Sequence, residues 1–207
     1  MIKKILSLIK TKDLKYNLGY WENPDENNNP VYYLDNNNTN ERTIYLINLI
    51  NKWFPDKNIK ILEIGSNVGR NLNYLYKNGY KKLTGIEINK EAIKLMSIHY
   101  KQCYDNVIII NDAVENVIKK IKQNEYDLIF TMAVLEHIHK KSEWIFNEMI
   151  RITNNIITIE DEKSISWKHF PRNYKRVFKN MKQIYWEDCS YIKGFNKGFT
   201  TRIFTKL

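Results

Sequence analysis

The sequence predicts an α/β protein: a mostly parallel sheet with helices on both faces and antiparallel pairing at its end. Three observations carry that expectation. Short apolar runs alternate strictly with helical periodicities over the middle of the chain. The apolar runs lack the in–out alternation of a half-solvated strand, so they read as strands buried on both faces. Two further strand candidates, Gln183–Tyr191 and Phe199–Phe204, flank a Lys-Gly-Phe-Asn-Lys-Gly link that reads as a hairpin.

The elements follow in order. At the N-terminus, Ile2, Ile5, Leu6 and Ile9 mark one face of a helix, with Lys3, Lys4 and Lys10 off it. The apolar stretch is shorter than the ~7–15 residues of a signal-peptide core, and no small-residue cleavage site follows. Residues 13–38 mix Tyr16, Tyr20, Trp21, Tyr32 and Tyr33 with Pro24, Pro30 and two triple-Asn runs. This reads as an irregular wrap, or as part of a lid over a small-molecule site. The expected division is therefore an N-terminal wrap or lid over 1–38 and one α/β domain over 39–207. Residues 39–54 read as a helix with a polar cap and Pro55 behind it. There follow strand Ile59–Ile64, helix Asn71–Lys77, strand Leu83–Ile88, helix Lys90–Tyr100 and strand Val107–Ile110. Helix Val114–Lys122, strand Tyr126–Thr131, a long helix Val134–Arg151 and strand Ile156–Ile159 complete the series.

Composition bounds the function. A chain of 207 residues suits one domain, and 43% hydrophobic residues are enough for a core. No apolar run approaches the ~20 residues of a membrane span. Two cysteines, Cys103 and Cys189, exclude a disulfide scaffold or a Cys-based zinc module, and a cytoplasmic setting is expected. The net charge of +10 suits an anionic partner, but a chain saturated with Lys, Asn and Ile also follows from an AT-rich genome.

The chemistry gathers at the strand ends. The first strand runs into Glu63-Ile-Gly-Ser-Asn-Val-Gly-Arg70, where Gly65 and Gly69 bracket the strand-to-helix turn. Ligands of open α/β sheets bind beyond the carboxyl ends of the strands at such a turn. The Gly-x-x-x-Gly spacing is neither the dinucleotide fingerprint nor a phosphate loop, which disfavours a pyrophosphate cradle. Glu87 closes the second strand about 20 residues on, where an acid can accept both hydroxyl protons of a ribose. Asp112 follows the third strand and can reach an adenine amino group or cap the next helix. The fourth strand opens into Thr131-Met-Ala-Val-Leu-Glu-His137.

These four segments, in this order and spacing, resemble the class I S-adenosylmethionine-dependent methyltransferases over about residues 40–160. The resemblance implies a Rossmann-like, seven-stranded sheet whose last strand is antiparallel, with S-adenosyl-L-methionine as cofactor. It implies that Glu63, Gly65 and Gly69 surround the methionine part of the cofactor. Glu87 would hold the ribose and Ile88 would pack near the adenine. Asp112 and Ala113 would contact the adenine, while Met132 and Ala133 would line the sulfonium pocket. Within the family the chain looks most like small bacterial enzymes of sugar and surface-polysaccharide biosynthesis.

The acceptor is less legible. In-line methyl transfer asks mainly for alignment, with a base only where the nucleophile arrives protonated. His137 is the candidate base, with a ring that satisfies a backbone group as the alternative. Three carboxylates, Glu160, Asp161 and Glu162, stand where the acceptor side is expected, so Glu160 is the second catalytic candidate. Tyr16, Tyr20, Trp21, Tyr33, Trp167 and His169 are candidates for acceptor contact. Relatives with Glu-x-x-Glu-His at the fourth strand bind a divalent metal. Here the first position is Ala133, so no metal site is expected.

Residues 163–182 are basic and aromatic without an acid, and read as an anion clamp or as a cover helix with a solvated basic face. The expected function is methyl transfer to an oxygen or nitrogen of a small polar acceptor. The alternatives are an RNA or protein methyltransferase using that basic surface, or a non-catalytic cofactor-binding protein. An exocyclic-amine methyltransferase is disfavoured, because Thr131-Met-Ala-Val replaces the Asn/Asp-Pro-Pro-Tyr/Phe motif. A cytosine C5 enzyme is disfavoured because neither cysteine follows a proline. The oligomeric state is not fixed by the sequence.

Overall fold

The computed structural model describes residues 12–35 and 40–207. The amphipathic face expected at Ile2–Ile9 and the run Asn36–Asn38 lie outside them. Seven strands form one sheet: β1 (Ile61–Ile64), β2 (Leu83–Glu87), β3 (Ile108–Asn111), β4 (Tyr126–Met132), β5 (Thr153–Asp161), β6 (Met181–Asp188) and β7 (Phe199–Lys206). Their spatial order is β3-β2-β1-β4-β5-β7-β6. β1 to β5 pair in parallel, while β7 pairs antiparallel with both β5 and β6. The hairpin expected at the end is thus present, and β7 alone runs against the rest.

Successive strand residues face opposite layers, and both layers are apolar. On one side Ile61, Leu128, Phe130, Ile157 and Ile203 meet helices α2 (Glu41–Trp53), α3 (Arg70–Lys77) and α4 (Lys90–His99) through Leu46, Ile50, Leu72, Leu75 and Met96. A four-residue helix, α5 (Lys101–Tyr104), follows α4. On the other side Leu62, Ile64, Ile129, Ile156 and Phe204 meet α6 (Val114–Val117) and α7 (Ile145–Ile152) through Val114, Val117, Ile145, Phe146 and Met149. This is why β1 and β2 read as continuous apolar runs: every residue of each is buried. Among the described residues no helix is long and apolar enough to cross a membrane.

Three local expectations are corrected. The segment read as an irregular wrap contains a helix, α1 (Leu14–Glu22), capped by Asp13, whose carboxylate accepts the Tyr16 N–H at 2.7 Å. Two single-turn 3₁₀ helices follow, at Glu26–Asn28 and Pro30–Tyr33. The long helix expected over Val134–Arg151 is broken into 3₁₀ turns at Leu135–His137 and Lys140–Ser142 before α7 begins. The break begins at Ala133, whose φ of 56° turns the chain across the carboxyl edge of the sheet. Finally, 163–182 is no cover helix. It is extended and looped, with one short helix, α8 (Tyr174–Val177), and it buries Phe170, Tyr174 and Phe178.

Candidate active site

A cavity of about 230 Å³ lies over the carboxyl ends of β1, β2 and β4. Its floor is the turn after β1. Gly65 sits at φ 74°, and a Cβ there would meet Val134 Cγ2 at 2.5 Å, so only glycine fits. Gly65, Ser66, Asn67 and Val68 line the cavity, as do Glu63, Glu87, Ile88, Asp112, Ala113, Met132, Ala133 and His137. Gly69 does not reach the wall. It caps α3 in a left-handed conformation and packs against Met96 instead.

Glu63 is buried with one oxygen accepting Asn71 Nδ2 at 2.8 Å and the other, Oε2, unpartnered. Burial pushes its carboxyl up to about 8. Glu87 is buried too, and it braces the loop: Oε2 accepts Asn67 N–H and Oε1 accepts Asn89 N–H, each at 2.7 Å. Each oxygen retains a lone pair for a further donor. Burial raises the Glu87 carboxyl above its usual range, against those two bonds. Asp112 accepts from Ala113 N and Asn116 Nδ2 through a single oxygen, which braces the start of α6 without spending the other; the helix itself has no side-chain cap, so the capping role expected as the alternative is not what this residue does.

The roof is α1. Asn17, Leu18 and Trp21 face down into the cavity, joined by Pro24, Asn28, Pro30 and Tyr33. The Trp21 ring lies 4.3 Å from the His137 ring, centroid to centroid. Of the six aromatic and His candidates, Trp21 and Tyr33 line the cavity and Tyr16, Tyr20, Trp167 and His169 do not. Tyr16, Tyr20 and Trp167 instead fasten the roof from outside, in edge contacts of 5.5 and 4.9 Å. Lys168 Nζ donates to Tyr20 Oη at 2.8 Å and lies over the Tyr20 and Trp21 rings.

His137 Nδ1 is 2.8 Å from the Lys168 carbonyl. A carbonyl only accepts, so the ring proton sits on Nδ1 and Nε2 keeps its lone pair. Burial pushes the imidazole down to about 3, so it is neutral and a poor store for a proton. Both readings of the sequence meet here: the ring satisfies a backbone group and also lines the cavity. Glu160 is a correction. It is fully buried behind the wall, where its Oε2 accepts Val134 and Leu135 N–H at 2.9 Å. These are donors freed by the broken helix. Asp161 closes its own turn on Lys163 and Ser164, and Glu162 pairs with Arg202 at 2.7 Å. The three acids therefore hold the frame and do not face an acceptor. Burial raises both Glu136 and Glu160; repulsion from Glu160 raises Glu136 further, while hydrogen bonds from Thr131 and Val134 oppose the rise at Glu160.

Two arginines escaped the sequence reading. Arg42 on α2 lines the cavity with Nε buried and unpartnered; Arg70 donates to Thr43 Oγ1 and the Tyr33 carbonyl. Among the described residues neither makes an ion pair. No local pattern marks them, since helical arginines are usually solvated.

A family profile described as "methyltransferase domain" matches residues 39–154. No curated protein matches the chain. Among solved structures, the PH0226 protein from Pyrococcus horikoshii OT3 superposes with a TM-score of 0.70 at 13% identity, covering 86% of this chain and 96% of that one. Magnesium protoporphyrin IX methyltransferase from Synechocystis PCC 6803, solved with bound SAH, gives 0.71 at 8% identity, with 93% and 99% covered. Geranyl diphosphate C-methyltransferase from Streptomyces coelicolor A3(2) gives 0.67 at 9% identity, with 97% and 100% covered. The chain belongs to the methyltransferase domain family and is a class I S-adenosylmethionine-dependent methyltransferase. The cavity's donor set suits that cofactor: an unpartnered carboxylate oxygen and an unpartnered guanidinium N–H for an amino acid, and a buried carboxylate at β2 for a diol.

Proposed function

We propose that the protein methylates an oxygen or nitrogen of a small polar acceptor held beneath α1, between Trp21, Tyr33 and His137. The observation that supports this most is the continuity of one small cavity from the turn after β1 to the underside of that roof. When bound, S-adenosylmethionine supplies a methyl group activated by its sulfonium. Glu63 and Arg42 would hold its amino and carboxylate groups. Glu87 would hold its ribose hydroxyls. Ile88, Asp112 and Ala113 would border its adenine, and Met132 and Ala133 its sulfonium end.

His137 contributes orientation. Its bare Nε2 accepts a hydrogen bond from the O–H or N–H of the acceptor and aims the lone pair in line. The segment 13–35 acts as a lid, latched by Lys168 on Tyr20 and by the rings of Tyr16 and Trp167. A roof of this kind excludes water and limits the size of the acceptor, which favours a metabolite over a folded RNA or protein. A sugar or biosynthetic intermediate is the preferred acceptor class.

The test uses cofactor carrying a labelled methyl group and a cell extract. Label in a new acid-soluble species, separated by chromatography from the cofactor and its breakdown products, is expected. Label confined to nuclease- or protease-sensitive precipitate would replace this reading with a macromolecular acceptor.

A further inference from the structure

The cavity leaves some of its own polar atoms bare. Among the described residues, five side-chain atoms that are buried without a hydrogen-bond partner belong to residues lining it: Arg42 Nε, Glu63 Oε2, Ser66 Oγ, Asn17 Nδ2 and Trp21 Nε1. The first three belong to α2, β1 and the turn after β1, where the amino-acid part of the cofactor is proposed to sit. The last two hang from the roof. We propose that Asn17 and Trp21 form a carboxylate subsite, so that the acceptor is a small organic acid, held by its carboxylate and methylated at a separate hydroxyl or amine. This rests on the function proposed above and narrows it.

Asn17 and Trp21 stand one helical turn apart on α1, so their side chains share the face turned to the cavity. Asn17 is only 2% exposed and is the buried residue of α1, although an amide on a surface helix is ordinarily solvated. A donor buried without an acceptor forfeits its hydration and gains nothing in return. Burial of these two N–H groups becomes favourable once a ligand supplies the missing acceptors. An indole N–H only donates. A carboxylate only accepts, with two oxygens and about four lone-pair sites, so it takes both donors and brings no proton that needs a place. A hydroxyl in the same position would bring one.

The surroundings suit one negative charge. The lining carboxylates Glu63, Glu87, Asp112 and Glu115 stand on β1, on β2 and after β3, not on the roof. Asp25, on the roof, is engaged by Tyr20 Oη at 3.0 Å. The acid beside His137 is Glu136, with Oε1 3.8 Å from Nε2; burial and the neighbouring Glu160 hold its carboxyl protonated well above the usual range. Lys168 Nζ lies 5.6 Å from the centroid of the Trp21 ring, and Arg70, which donates to the Tyr33 carbonyl, brings a second positive charge to the lining. Two uncharged N–H donors match a single charge, whereas a phosphate dianion calls for a guanidinium fork in contact. The carboxylate is the handle and not the nucleophile. The bare lone pair of His137 Nε2 repels an oxyanion and accepts from the O–H or N–H to be methylated. Methyl transfer to that atom breaks the S–CH3 bond, forms an O–CH3 or N–CH3 bond and releases one proton, which Nε2 passes on to solvent. Trp21 and His137 meet ring to ring at 4.3 Å, so handle and reacting group belong to one short molecule.

The test continues from the labelled product. The new acid-soluble species is coupled to an amine with a water-soluble carbodiimide and, separately, treated with phosphatase. Coupling to the amine, with no change on phosphatase treatment, is expected. A labelled species without a free carboxyl, whether neutral, phosphorylated or methylated on the carboxyl itself, overturns the carboxylate subsite and leaves the function above standing. Absence of any labelled small molecule overturns that function and this subsite with it. With the acceptor purified, Trp21→Phe keeps a ring beside His137 and removes Nε1–H, while Asn17→Leu removes the amide. Each should raise KM for the acceptor about 10–100-fold, as loss of a hydrogen bond to a charged group does, with kcat and affinity for S-adenosylhomocysteine little changed. Circular dichroism checks that each variant is folded. Folded variants that both keep the parent KM overturn the assignment of these two residues.

Discussion

The indole of Trp21 rests 4.3 Å from the imidazole of His137, so the last turn of α1 closes the cavity at the end proposed for the acceptor. The two residues are far apart in the chain, and neither is placed by its neighbours in sequence. Trp21→Ala should open this end to water and loosen the acceptor. We expect kcat/KM for the acceptor to fall by about 10²-fold, as misplacement of a reacting group does. Affinity for S-adenosylhomocysteine should change little. Steady-state kinetics beside calorimetry separate the two effects.

Glu87→Gln addresses the cofactor end. The carboxylate accepts two backbone N–H bonds and would accept the ribose hydroxyls as well. A hydrogen bond to a charged group contributes about 1.5–3 kcal/mol. Affinity for S-adenosylhomocysteine should therefore drop roughly 10–100-fold, since 1.4 kcal/mol is tenfold. Because Glu87 also braces the Asn67 turn, the thermal midpoint should fall slightly too. A variant that binds as tightly as the parent would remove Glu87 from the site.

Gly65→Ala tests the turn itself. The φ of 74° costs any L residue about 1–3 kcal/mol, and the added methyl would press on Val134. The expected result is a midpoint lowered by several degrees, at ~2–4 °C per kcal/mol for a chain of this size. An unchanged midpoint would mean that the loop relaxes freely.

The pH dependence of stability should carry the mark of Glu63. Its folded value of about 8 lies above the ordinary carboxylate value. Between those two values the folded protein holds a proton that the unfolded chain has released, so stability falls as pH rises through that window. Thermal unfolding of ligand-free protein at pH 5 and pH 8 should show this loss. Glu63→Gln should reduce it. Saturating S-adenosylhomocysteine should reduce it as well, because a bound ammonium would favour the ionised carboxylate.

Much of the sheet was legible because β-branched runs such as Ile108–Ile110, on the exposed edge strand, and the buried Ile156–Ile159 leave little choice of element. The cavity floor was legible for a related reason: Gly65, Glu87 and Asp112 all stand at strand ends, where local sequence fixes position. The roof was not. Leu14–Glu22 has little apolar periodicity, and its helix shows only in the cap at Asp13. The helix expected after β4 failed because its break depends on Glu160, a distant carboxylate that accepts the N–H groups of Val134 and Leu135. Glu160 was misread for the same cause. Its position at a strand end suggested solvent, whereas the chain after β4 folds over it. Arg42 carries no local mark at all.

The placement of β7 between β5 and β6 has a kinetic consequence. β6 precedes β7 in the chain but reaches the sheet only through it. Until β7 arrives, β5 presents an open hydrogen-bonding edge and β6 is an unpaired strand; Ile184 and Trp186 on it stay exposed even in the finished fold. The last docking step joins residues distant in sequence, which is slow on loop-closure grounds. Intermediates halted at that step are the species in which strand exchange between two chains, and aggregation, should originate.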